Sequence, residues 1–150
     1  MNRSIWPSAS ELVDKPWGKE RTWSTFGSLQ GKVLYMQAGK KTSMKIFDHK
    51  DEVLYIQDGK IKATVADESV FLENGRSTKF RVLTLKEGDV LTIQAGCPYR
   101  LNAVEDSIVV EISNGIAGTD CVRFLDDYGR ESPDFRTSLI HRKLEELEKE

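Results

Sequence analysis

The sequence predicts an all-β fold closed by one C-terminal helix. Three observations carry this. Short strand-like runs separated by glycine-containing turns fill roughly residues 19–113. Within them, apolar and polar residues alternate with period two, as in Ser107–Ser113, where Ile108, Val110 and Ile112 share one face and Val109 and Glu111 the other. The last segment, SLIHRKLEELEKE, changes period: Ile140, Leu144 and Leu147 fall on one helical face.

The elements follow in order. The chain up to about Trp17 reads as an arm, punctuated by Pro7 and Pro16 and carrying Trp6 and Trp17, which need cover. Lys19–Ser24 and Lys32–Gly39 read as strands joined by a turn over Gly27–Gly31. Thr42–Phe47 continues the series. Val53–Val65 reads as a hairpin turning at Asp58-Gly59, because glycine accepts the positive φ such turns need. Ala66–Lys79 reads as a longer irregular loop, in which Glu73–Arg76 is a turn without the spacing of a phosphate loop. Strands resume at Phe80–Leu85, Val90–Gly96, Tyr99–Val104 and Ser107–Ser113, with a turn at Glu87-Gly88-Asp89. Ser138 is placed to cap the final helix, which would pack on the strands or on a partner subunit.

The chain has 150 residues, enough for one domain with a core that needs no disulfide staples. Lys plus Arg number 22 and Asp plus Glu 24, a formal charge of −2. That balance argues against a dedicated nucleic-acid binder. No apolar run reaches 18 residues, so no membrane span is expected. The N-terminus lacks an apolar signal core, and Cys97 and Cys121 are too few for a disulfide framework. Together these predict a cytoplasmic protein with reduced thiols.

Two blocks anchored by glycines stand out. The first runs Gly39, five residues, Lys45-Ile46-Phe47, four residues, Glu52, six residues, Gly59. The second runs Gly88, five residues, Gln94-Ala95-Gly96, two residues, Tyr99, three residues, Ala103. Both resemble the two motifs of the cupin superfamily, small jelly-roll β-barrels, in which the first motif supplies two His and a Glu to a metal and the second supplies one His. VDKPWGKE (Val13–Glu20), the block from Thr42 to Lys60 and CVRFLDDYGR (Cys121–Arg130) further resemble cupins similar to type II mannose-6-phosphate isomerases. The resemblance implies a single jelly-roll cupin domain over residues 1–150. Its barrel core would span about 17–115 and its C-terminal wrap and helix about 116–150. It also implies a homodimer, and a pocket for a sugar or sugar phosphate.

The four positions matching the cupin metal ligands hold Lys45, Phe47, Glu52 and Tyr99. Only Glu52 is an ordinary ligand; an ammonium has no free lone pair, Phe has no donor atom, and one carboxylate cannot hold a transition metal. The expectation is therefore a site without the usual metal and without another cofactor. A shifted set of His49, Glu52 and Cys97 is the remaining route to a metal-dependent dioxygenase or lyase.

If these positions keep their inward aim, Lys45 and Phe47, two apart on a strand, share a face. A buried ammonium needs a partner, for which Glu52 is the natural choice. Lys45 would hold a phosphate or carboxylate, or polarise a carbonyl. Glu52 would act as general base and Tyr99 as general acid, in chemistry of the isomerase or epimerase type. Phe47, His49, Lys50 and Arg100 would contact the ligand. Asp48, Lys50 and Asp51 also fit a solvated turn, with Lys50 at the mouth of the pocket. A non-catalytic module that binds an anionic metabolite, or serves in assembly, fits the same residues.

Overall fold

The computed structural model describes residues 2–73, 75–115 and 121–150. Eleven strands form two antiparallel sheets. They are β1 (Glu11–Lys15), β2 (Gly18–Phe26), β3 (Leu29–Met36), β4 (Met44–Phe47), β5 (Glu52–Asp58), β6 (Lys60–Val65), β7 (Arg81–Lys86), β8 (Val90–Ile93), β9 (Tyr99–Ala103), β10 (Ser107–Ser113) and β11 (Cys121–Leu125). The first sheet has the order β1-β2-β3-β10-β5-β8 and the second β11-β4-β9-β6-β7. This is the all-β jelly roll the sequence predicts. The two sheets face one another as a sandwich and are not hydrogen-bonded into a closed barrel.

Period-two alternation explains what lies between the sheets. Leu54 and Ile56 of β5, Ile61 and Ala63 of β6, Leu101 and Ala103 of β9 and Val109 of β10 all point inward and are fully buried. Trp17 and Met36 close this core. A second cluster lies on the outer face of the second sheet. Met44 and Ile46 of β4 and Phe124 of β11 meet Ile140 of the helix α1 (Thr137–Glu148), with Leu144 and Leu147 beside it. Strand β4 is thus apolar on its outer face, and Lys45 and Phe47 turn to the inner one. The helix packs on its own chain. His141 strengthens the seat, with Nε2 2.7 Å from the Phe124 carbonyl on the edge strand β11.

Several local expectations change. The arm contains a strand, since β1 pairs with β2 from Glu11↔Thr22 to Lys15↔Gly18. Trp6 stays largely exposed and meets Phe26 edge-on, at 5.8 Å between ring centres. Strand β3 starts earlier than read, at Leu29, because Gly31 is a strand residue whose missing side chain makes room for the Trp23 ring. Asp58-Gly59 is not a hairpin turn. Strand β5 pairs with β10 and β8, whereas β6 pairs with β7 and β9, so the chain changes sheets there. Gly59 has φ +92°, and a Cβ at this corner would collide with the Ser107 hydroxyl and the Asp106 carbonyl. The loop after β6 holds one 3-10 turn, Glu68–Phe71, and Asn74 of the Glu73–Arg76 turn lies outside the described residues. Ser138 does not cap the helix. The helix begins at Thr137, launched by Asp134, whose carboxylate accepts the Arg136 backbone N–H at 2.8 Å and its guanidinium at 2.8 Å.

Candidate functional site

At one end of the sandwich the inward positions turn polar. Glu52 opens β5, Tyr99 opens β9, and Glu111 lies near the end of β10. Antiparallel pairing brings these ends together: Glu52 sits opposite Ser113, two residues beyond Glu111, and Lys45 sits opposite Tyr99. The result is a cavity of about 240 Å³ between the sheets. Lys45, Phe47, Lys50, Glu52 and Tyr99 all line it, so five of the seven predicted site residues converge.

The deep end is a hydrogen-bonded group. The Tyr99 hydroxyl donates to Glu52 Oε1 at 2.8 Å, and both residues are 2% exposed. The Lys45 ammonium lies over the Tyr99 ring, 4.5 Å from its centre. The expected direct Lys45–Glu52 ion pair is therefore replaced by a stack: ammonium on ring, phenol on carboxylate. Burial holds Lys45 below the ordinary lysine range, while the Glu52 charge pulls it the other way. Burial, and then the Glu52 charge, push Tyr99 well above the ordinary phenol range. Tyr99 is thus a fixed neutral donor, and a weaker acid than a free phenol.

Lys50 is not part of a solvated turn. It is 6% exposed, and its ammonium sits 4.2 Å from the centre of the Phe47 ring. Asp51 is exposed but structural: its Oδ1 accepts the Ala95 N–H at 2.8 Å, and its backbone N–H donates to the Asn114 side chain at 2.9 Å. Asp48 meets Arg136 at 3.6 Å. The polar knot between β4 and β5 is a clamp that fixes Lys50 and Glu52 in the cavity wall.

Two predicted contacts lie elsewhere. His49 is exposed and does not line the cavity. Arg100 alternates with Tyr99 and Leu101, so it points to the other face of β9, where it donates to the Thr42 carbonyl and to Asp127, each at 2.7 Å.

The sequence reading missed Lys15, Glu20, Lys32, Glu111, Arg123 and Arg130, which also line the cavity. Lys15 and Lys32 share Glu20 at 3.7 and 3.5 Å near the mouth. Arg130 is held by the fully buried Asp126 carboxylate through Nε at 2.9 Å and a second nitrogen at 3.0 Å. This bidentate pair holds Asp126 below the ordinary carboxylate range against the effect of its burial. Arg123 has a buried Nε–H with no hydrogen-bond partner. Period two on β11 puts Arg123 on the inner face with Cys121, opposite Phe124. That alternation was the available signal. Among the described residues, six Lys and Arg and three Glu line the cavity.

The four positions do not fit a resident metal. Phe47 has no donor atom, the Tyr99 hydroxyl is spent on Glu52, and Lys45 is stacked on the ring. The shifted set does not assemble either: Cys97 lines a different cavity, on the far side of Tyr99, and His49 lines neither. Among the described residues no three His, Cys, Asp or Glu side chains are grouped to hold a metal ion.

No protein-family model and no curated protein sequence matches the chain. Solved structures match it in fold. The likeness shows a shared two-sheet jelly-roll fold, as the two glycine-anchored blocks imply. The capsular polysaccharide assembling protein CapF from Staphylococcus aureus superposes with a TM-score of 0.64 at 12% identity, covering 81% of this chain and 33% of CapF. Oxalate decarboxylase from Bacillus subtilis, a protein with Mn(II) centres, gives 0.59 at 16% identity, covering 73% of this chain and 28% of the decarboxylase. KdgF from Halomonas sp. gives 0.56 at 15% identity, covering 69% of this chain and 86% of KdgF. The chain thus spans about a third of CapF and less of the decarboxylase. No described helix is long and apolar enough to cross a membrane.

Proposed function

We propose that this protein binds a small anionic ligand, a sugar or sugar phosphate, in the cavity between the sheets, and transfers a proton on it without a metal. The observation that carries the reading is the charge of the cavity wall: six cationic against three acidic side chains among the described residues, with a buried Arg123 N–H left without an acceptor. A concave, enclosed, positive site concentrates anions. Its volume of about 240 Å³ is below the range of roughly 300–1,000 Å³ typical of drug-sized ligands, so it suits a monosaccharide-sized molecule.

The saccharide reading draws on the resemblance to isomerase-type cupins and on a fold neighbour that assembles capsular polysaccharide. The Pro-Trp-Gly block has a physical purpose consistent with it. Lys15 and Trp17 face the cavity, and Gly18 permits close approach to the Tyr35 carbonyl, where any side chain would collide. In the proposed chemistry the cationic rim holds the phosphate or carboxylate. Glu52, aligned by Tyr99, takes a proton from the carbon next to a carbonyl, and Lys45 stabilises the charge that develops on the carbonyl oxygen.

The test is incubation with aldose and ketose phosphates in D₂O, followed by NMR. Deuterium should enter the carbon beside the carbonyl with wild-type protein and not with Glu52→Gln. Saturable binding with no deuterium incorporation would reduce the protein to a binding module. Equal incorporation by Glu52→Gln would remove Glu52 from the chemistry.

A further inference from the structure

The cavity contains an acid that the chemistry above does not use. Glu111 is 6% exposed and lies on the same sheet face as Glu52, as its diagonal neighbour across β10 and β5. Both carboxyls line the same cavity, and Glu52 is only 2% exposed. Two carboxylates offer only acceptors and repel each other, so a close pair out of water favours keeping one proton. The Tyr99 hydroxyl decides where the proton resides. By donating to Glu52 Oε1 it favours Glu52 as the charged acceptor and leaves the proton to Glu111.

The surroundings do not cancel that preference. Lys32 of β3, Lys50 before β5, Lys45 of β4, Tyr99 of β9 and Cys121 and Arg123 of β11 share the cavity with the pair. Lys32 is engaged by Glu20, Lys50 lies over Phe47 and Lys45 over Tyr99. Among the described residues no Lys or Arg makes an ion pair with either carboxyl. A second negative charge at this depth would lack a partner, which costs several kcal/mol in effective terms. Burial first, and then the Glu52 charge, push Glu111 up to about 8.

We propose that Glu52 and Glu111 share one proton as a carboxyl–carboxylate pair, and that this site takes up its anionic ligand together with a proton. A negative ligand beside the pair makes the second ionisation harder still. The one O–H stays between the two carboxyls, so the pair presents its remaining oxygens to the ligand as acceptors. The favoured ligand carries an anionic group for the rim and a hydroxyl that donates to the floor. The ligand half of this inference rests on the anion-binding reading above; the shared proton does not.

Two measurements separate the halves. NMR of protein carrying ¹³C at the glutamate carboxyls should reveal one glutamate titrating near pH 8. That resonance should be missing in Glu111→Gln and should titrate at lower pH in Glu52→Gln. If every glutamate titrates in the ordinary range, the shared proton is disproved. Calorimetry with sulfate, an anion that does not itself titrate here, in two buffers of different ionisation enthalpy at pH 8, should give net proton uptake in wild type and none in Glu111→Gln. Equal uptake by both proteins, or none by either, overturns the coupling. Failure of sulfate to bind overturns the anion site and leaves the NMR titration to decide the pair.

Discussion

At the scale of single residues, Glu111 contributes a pH-dependent part of the stability. Its proton is retained in the folded state to about pH 8, against the ordinary 4.5. Between those values the unfolded chain has released a proton that the folded chain keeps. Stability from this group is therefore fully present below about 4.5 and lost as pH rises through about 8. Glu111→Gln keeps the shape and cannot ionise. Its melting temperature should exceed that of wild type at pH 9, with the gap closing by pH 5; a gap independent of pH would contradict the assignment. The sequence made Glu52 and Tyr99 legible through their spacing from the anchoring glycines. It hid Glu111, because alternation shows which residues share a face without showing which face is inward. Ile108, Val110 and Ile112 look like the core side of β10, yet Ile112 is half-exposed and Val109 and Glu111 point in. Lys50 was obscured for a related reason. A charge in a turn reads as solvated until a neighbouring ring, here Phe47, is known to cover it.

At the scale of elements, the glycines reveal turns but not where the chain goes next. Asp58-Gly59 looks the same in sequence whether the flanking strands pair or change sheets. The collision that a Cβ at Gly59 would make with Ser107 and Asp106 belongs only to the second case. Gly59→Ala should thus destabilise by more than the roughly 1 kcal/mol typical of a residue forced to positive φ, readable as a fall in the denaturant midpoint. A cost below that would mean the corner can relax. The helix was legible from its period, though not its start, and its seat on Phe124 and Met44 explains its role as a cover for the outer face of β4 and β11. Ile140 is completely buried there, so Ile140→Ala should cost about 2–5 kcal/mol. A loss this large confined to stability, with anion binding intact in the folded fraction, would separate the cover from the cavity on the opposite face of the sheet.

At the scale of the whole molecule, a near-neutral chain carries a cationic cavity. A formal charge of −2 gives no hint of it, since the six cations come from β1, β3, β4, β11 and two connecting segments and meet only in the fold. Surface electrostatics would oppose an incoming anion weakly, and the cavity would capture it at short range. Affinity for a charged ligand should fall as salt rises towards physiological strength and beyond, though less steeply than for an exposed patch, because buried pairs are screened less. The most direct measurement is a calorimetric titration of wild type and Arg123→Gln with a hexose phosphate and with the same hexose unphosphorylated. The account predicts saturable binding of the phosphate ester by wild type, at least tenfold weaker binding by Arg123→Gln, since losing one charge-assisted hydrogen bond costs about 1.5–3 kcal/mol, and much weaker binding of the free sugar by both. Equal affinity of wild type for the charged and uncharged sugars, or no binding of either, would contradict an anion-binding cavity between the sheets.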